Sequence, residues 1–96
     1  MNISISHTGK EYVISPEGEL DYTTMEEFDA AVSSVLPEAD RIVIDMEKAE
    51  YISSSGIRVI LSAYDELETK GGIRLVNCNS MVREIFEMTG LWDYLS

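Results

Sequence analysis

Tyr51-Ile52-Ser53-Ser54-Ser55-Gly56-Ile57 is the stretch in which an apolar, strand-like segment gives way to an amphipathic helix. Beyond the serines, Ile57, Ile60, Leu61, Tyr64 and Leu67 recur at helical spacing, with Gly71-Gly72 as the expected stop. A helix that begins here exposes unpaired backbone N–H groups and the positive end of its dipole. A serine at that point either caps the helix or carries a stabilised phosphate. Three candidate serines exceed what one cap requires.

Working outward, Arg41-Ile42-Val43-Ile44-Asp45 is short, β-branched and nearly continuous in apolar character, which predicts a strand buried on both faces of a partly parallel sheet. Tyr51-Ile52 forms a second short strand, and Ile73-Arg74-Leu75-Val76 another. Ser80 is the expected cap of a last helix that carries Val82, Ile85 and Phe86 and ends at Gly90. Toward the N-terminus, Ile3 to His7 alternates apolar and polar residues, Thr8-Gly9-Lys10 supplies turn chemistry, and Glu11 to Leu20 completes a hairpin. Pro16 and Gly18 predict an edge position or a bulge in that second strand. Thr23 and Thr24 each precede a glutamate by three residues, Glu26 and Glu27, giving two capping-box options for a helix that runs to about Pro37.

The resulting order, ββα followed by β(β)αβα, predicts a small α/β domain over residues 1–96, with right-handed crossovers onto a mixed β-sheet covered by helices. Functional surfaces in such sheets form at strand C-terminal ends, where loops meet helix N-termini. Asp21 and the segment Ser53 to Gly56 both occupy that kind of position and are expected to lie together.

The chain has 96 residues, 45% of them hydrophobic, which suits one globular core. Seven Lys and Arg against 18 Asp and Glu give a net charge of −11, which argues against nucleic acid and against anionic membranes as partners. No basic leader is present, and no stretch approaches the roughly 20 apolar residues that span a bilayer, so a cytoplasmic location without membrane insertion is expected. Cys78 and His7 are the sole cysteine and histidine, so neither a disulfide, a metal site nor a cofactor is expected. A serine nucleophile would need an activating base, and G-x-S-x-G is absent, which argues against an enzyme.

Several of these residues together carry a family resemblance. Gly18-Glu19-Leu20-Asp21, Ile42-Val43-Ile44-Asp45, Tyr51 to Ile57 with Val59-Ile60-Leu61, Gly71-Gly72, then Val82, Ile85-Phe86 and Thr89-Gly90-Leu91 resemble a bacterial STAS domain of the anti-sigma factor antagonist type. The resemblance covers almost the whole chain. It implies a non-enzymatic phosphoswitch that binds an anti-sigma factor serine kinase when unphosphorylated, is released on phosphorylation, and is reset by a phosphatase. It places the accepting serine at Ser54, with Ser53 and Ser55 as the alternatives, and a partner-facing surface at Asp21, Ser53, Ser54, Ser55, Gly56 and Arg58. Ser53 stands where the family usually has aspartate, and the chain stops at Tyr94-Leu95-Ser96, where many relatives continue into a further helix.

Each residue also has a plainer role. Ser54 can simply cap the helix. Gly56 leaves no side chain between the backbone and an approaching partner. Arg58, four residues after Ser54, can reach a phosphate or face solvent. Asp21 can serve the partner surface or complement the dipole of the first helix. Trp92 and Tyr94 are expected to pack the C-terminus onto the domain. An alternative to the switch is a sensing or scaffold module whose helix start binds an anionic ligand or a signalling assembly without phosphorylation.

Overall fold

Side chains alternate across a strand, so Tyr12, Ile14 and Pro16 share one face while Val13 and Ser15 share the other. The computed structural model describes all residues from 1 to 96 and places this strand, β2 (Glu11–Pro16), inside a four-stranded mixed sheet. Its neighbour β1 (Ile3–Thr8) runs antiparallel to it as the predicted hairpin, with Ile5 opposite Ile14. The remaining members, β4 (Arg41–Asp45) and β6 (Gly72–Val76), are parallel, and Ile14, Ile44 and Leu75 stand in register across the three strands.

Pro16 ends β2, and the chain then leaves this sheet. The Gly18 N–H donates to Lys48 O at 2.9 Å, and β3 (Gly18–Leu20) pairs in parallel with β5 (Ala49–Ile52) as a separate two-stranded sheet. A register shift between Gly18 and Glu19 is the predicted bulge. The edge alternative fails for Pro16, because β2 is flanked by β1 and β4, but holds for Gly18, because β3 is an edge strand of its two-stranded sheet.

Helices α1 (Met25–Val35) and α2 (Ser54–Leu67) lay Phe28, Val32, Val35, Ile60, Ala63 and Leu67 against Ile14, Ile42, Ile44, Ile73 and Leu75. Val82 and Phe86 of α3 (Ser80–Met88) and Leu95 of α4 (Trp92–Leu95) join the same 21-residue core. The expectation that β4 is buried on both faces is corrected: Ile42 and Ile44 are buried, whereas Val43 on the opposite side of the pleat is half-buried. All the buried helix residues belong to one core, so a single face of the strand is closed.

Three other local expectations change. Helix α2 ends at Leu67, one turn before the glycines. Gly71 and Gly72 instead let the chain pass close to the start of β4. A Cβ at Gly71 would lie 2.8 Å from Arg41 Cβ, and the Gly71 N–H donates to Asp40 O at 2.8 Å. The cap of α3 is Asn79, one residue before Ser80, with its side-chain oxygen accepting from the Val82 N–H at 2.8 Å. Its amide also donates to Ala49 O and Glu50 O, a tie to β5 that serine is too short to make. Finally, Trp92 packs half-buried against the core as expected, with Arg83 over its ring at 5.0 Å, but Tyr94 is 68% exposed, and Leu95 is the α4 residue that enters the core.

Candidate functional site

The second sheet builds the site. Leu20 stands in register with Ile52, so the residues that follow each strand, Asp21 and Ser53, emerge side by side. The Ser53 N–H donates to Leu20 O at 2.8 Å, which ties the start of α2 to the loop after β3. The two segments picked out from sequence therefore do come together.

Ser53 is the N-cap residue in extended backbone, and its carbonyl accepts the first helical bond, from the Ile57 N–H at 3.0 Å. Its side chain makes no cap hydrogen bond, and its Oγ is buried without a partner. Ser54, the first residue of α2, is exposed, while Ser55 is partly covered. No side chain satisfies the first-turn N–H groups, which leaves the donors and positive dipole end of α2 uncapped. The serines thus do not perform the plain capping role their position suggests.

Gly56, expected on the partner-facing surface, is buried. A Cβ there would lie 2.8 Å from Ile52 Cγ1 and 3.3 Å from Leu20 O, so this glycine allows α2 to sit tightly on the β3–β5 junction. Its role is packing, and the correction narrows the exposed surface. Arg58, by contrast, is exposed one turn beyond Ser54 and belongs to none of the three ion pairs, which join Met1 to Glu27, Arg41 to Glu11 and Arg83 to Glu87.

Asp21 has a role that was not anticipated. Its carboxylate accepts from the Thr23 hydroxyl and from the Thr23 N–H at 2.9 Å, closing a tight local turn. Those bonds, the hydroxyl first, hold the carboxyl below its ordinary pKa and keep it ionised. Thr24 Oγ1 donates to Glu19 O at 2.7 Å and accepts from the Asp21 N–H at 3.1 Å. The expected capping box does not form, because the Asp21 carboxylate takes the Thr23 hydroxyl and the loop backbone takes that of Thr24.

The turn presents Tyr22, a residue sequence inspection passed over, at 80% exposure. It breaks no periodicity and lies in no motif, so only its position on a braced loop beside Ser53 draws attention to it. Cys78 is half-buried, and burial followed by the Asp45 charge pushes its thiol pKa up.

This arrangement of two sheets, an uncapped serine-bearing helix and a braced acidic turn can be set beside known proteins. The family model described as the STAS domain matches residues 2–95. The chain belongs to the STAS domain family. This STAS domain is 30% identical over 76 residues to BtrV of Bordetella bronchiseptica, covering 77% of the chain and 66% of BtrV. Over 100 residues it is 27% identical to the anti-sigma F factor antagonist of Paenibacillus polymyxa, covering 99% and 84% of the two chains. The anti-sigma factor antagonist SpoIIAA in its unphosphorylated form superposes with a TM-score of 0.82 at 27% identity, over 99% of this chain and 86% of SpoIIAA. The phosphorylated form of SpoIIAA, from Bacillus, gives 0.77 at 26% identity, over 99% and 89%. The family and the α/β architecture expected from sequence are thereby established. The antagonists among these relatives are regulators by name, which supports the absence of catalysis, and no helix of this STAS domain is long and apolar enough to cross a membrane.

Proposed function

We propose that this STAS domain is an anti-sigma factor antagonist whose unphosphorylated form binds an anti-sigma factor that is also a serine kinase, and whose release follows phosphorylation of Ser54. A phosphatase restores the binding form. The observation that carries this reading is the contrast among the three serines. Ser54 is exposed on an uncapped helix start, while the Ser53 Oγ is buried and Ser55 is partly covered. A kinase needs a hydroxyl it can reach, and Ser54 offers it.

The same end of α2 suits the modified state. A phosphate on Ser54 brings about −1.5 to −2 charges to the positive end of the helix, where free N–H groups and Arg58 lie within reach. The domain tolerates the charge, while a partner seated over Ser54, Asp21 and Tyr22 meets a new dianion. Tenfold weaker binding requires only about 1.4 kcal/mol. SpoIIAA, solved in both an unphosphorylated and a phosphorylated form, is the relative that supports such a cycle.

Incubation with the cognate anti-sigma factor and ATP, followed by phosphopeptide mapping, tests the proposal. Phosphate is expected on Ser54, lost in Ser54→Ala and retained in Ser53→Ala. Incorporation that persists in Ser54→Ala but disappears in Ser53→Ala would overturn the assignment. The open N–H groups of α2 also favour a second reading, reversible binding of an anionic ligand without covalent transfer. That reading predicts no mass shift with kinase and ATP.

A further inference from the structure

Helix α2 buries one side in the core, and along its C-terminal half a second apolar strip, half-buried against that core, stays partly open to solvent. Leu61 and Tyr64 of α2, with Leu91, Tyr94 and Leu95 at the C-terminal end of the chain, line an open groove of about 300 Å³. Two carboxylates, Asp65 and Glu68, stand on its rim, and no basic residue lines it. From Leu61 to Glu68 the helix advances roughly 10 Å, about two turns, which matches the apolar face of a short docked helix.

We propose that this groove docks an amphipathic helix of a protein partner whose apolar residues fill the Leu61–Leu95 cleft and whose flanking lysines or arginines meet Asp65 and Glu68. Charge complementarity selects that occupant. A second copy of this chain would bring another net −11 against an acidic rim, and an anionic lipid surface would be repelled in the same way. An uncharged apolar helix would leave the two rim carboxylates without partners, whereas a basic one pairs them at the edge of the groove, where they govern encounter rate and orientation. The apolar floor supplies the affinity and the acidic rim the choice of partner. The site is separate from Ser54, which lies nearly two turns earlier on α2. Docking here is therefore independent of the phosphoswitch.

The probe is a synthetic 14-residue helical peptide with leucines at i, i+4 and i+7 and lysines on both flanks, compared with the same peptide carrying glutamates in place of the lysines. Amide shifts of the intact labelled domain locate binding, and titration measures it. The lysine peptide is expected to shift amides of residues 61–68 and 91–95, to bind at least tenfold more weakly to Asp65→Lys/Glu68→Lys, and to bind Ser54→Glu as it binds wild type. The glutamate peptide is expected to cause no shifts. Equal binding of both peptides, unchanged binding to the charge-reversed variant, or shifts confined to other surfaces would overturn the proposal. So would sedimentation showing that wild type dimerises and that Leu61→Asp abolishes the dimer, because the occupant would then be a second copy. Both rim positions are exposed, so charge reversal leaves the fold intact, and the amide spectrum of the variant verifies this.

Discussion

Replacing Gly56 by alanine tests whether the junction of α2 with the second sheet is as tight as its geometry indicates. In an exposed helix the change is favourable by up to about 1 kcal/mol, because alanine has the higher helix propensity, and by less within the first turn. Here the added methyl would stand 2.8 Å from Ile52 Cγ1, 3.2 Å from Ile52 Cδ1 and 3.3 Å from Leu20 O. Ile52 is 1% exposed and β-branched, so it has little room to turn away, and Leu20 O is backbone already accepting from the Ser53 N–H. Overpacking of this kind costs about 1–3 kcal/mol, which outweighs the propensity gain and leaves a net loss of about 1–2 kcal/mol. For a domain of this size each kcal/mol moves the melting temperature by about 4–8 °C. Urea unfolding, supported by a thermal scan, is expected to show a lower midpoint with an unchanged slope, and amide shifts should move at residues 20–24 and 52–56 together. A midpoint at or above that of wild type would refute the reasoning, since helix propensity alone would then govern the site.

Three further outcomes follow from the geometry. Ser54→Glu is expected to keep the unfolding midpoint within about 0.5 kcal/mol of wild type while weakening the anti-sigma factor at least tenfold, measured by calorimetry; loss of amide protection across α2 would instead mark local unfolding as the mechanism. Asp21 has a folded pKa below its unfolded value near 3.9, so its ionised form contributes stability above that pH and the contribution is lost as pH falls through the folded value. Acid unfolding curves of wild type and Asp21→Asn should converge at the acid extreme and separate as pH rises, and parallel curves would contradict the Thr23 bonds. Asn79→Ala removes the α3 cap and both ties to β5 and should cost about 1–2 kcal/mol, whereas Ser80→Ala should be nearly neutral in the same urea assay.

Much of the fold is legible locally because the signals that specify it are local. Period-two alternation marks β1, the apolar run Tyr12-Val13-Ile14 after a turn marks β2, a β-branched run marks β4, and helical spacing from Ile57 to Leu67 marks α2. What is misplaced is the cap chemistry at three points: the threonines before α1, the serines before α2 and Ser80 before α3. In each case a side-chain hydroxyl has several backbone groups within reach, and the choice depends on what tertiary contact leaves free. Thr24 turns to Glu19 O, the Ser53 Oγ is buried without a partner, and Asn79 is selected over Ser80 because β5 lies beside it.

The candidate site divides along the same line. The serine run, the helix it begins and the acidic residue after Leu20 are properties of short segments, and with the ordered motifs around them they are enough to indicate the family. Their meeting is not local, since it requires β3 to leave the main sheet and pair with β5 some thirty residues away in the chain, a pairing whose loop-closure cost only the shared core can offset. The accessibility of each hydroxyl depends on that packing as well. Periodicity determined that a helix starts at three serines; burial against Leu20 and Ile52 decided that Gly56 faces inward, that the Ser53 oxygen is closed off and that Ser54 is the one left open, because exposure belongs to an assembled surface and not to a residue type.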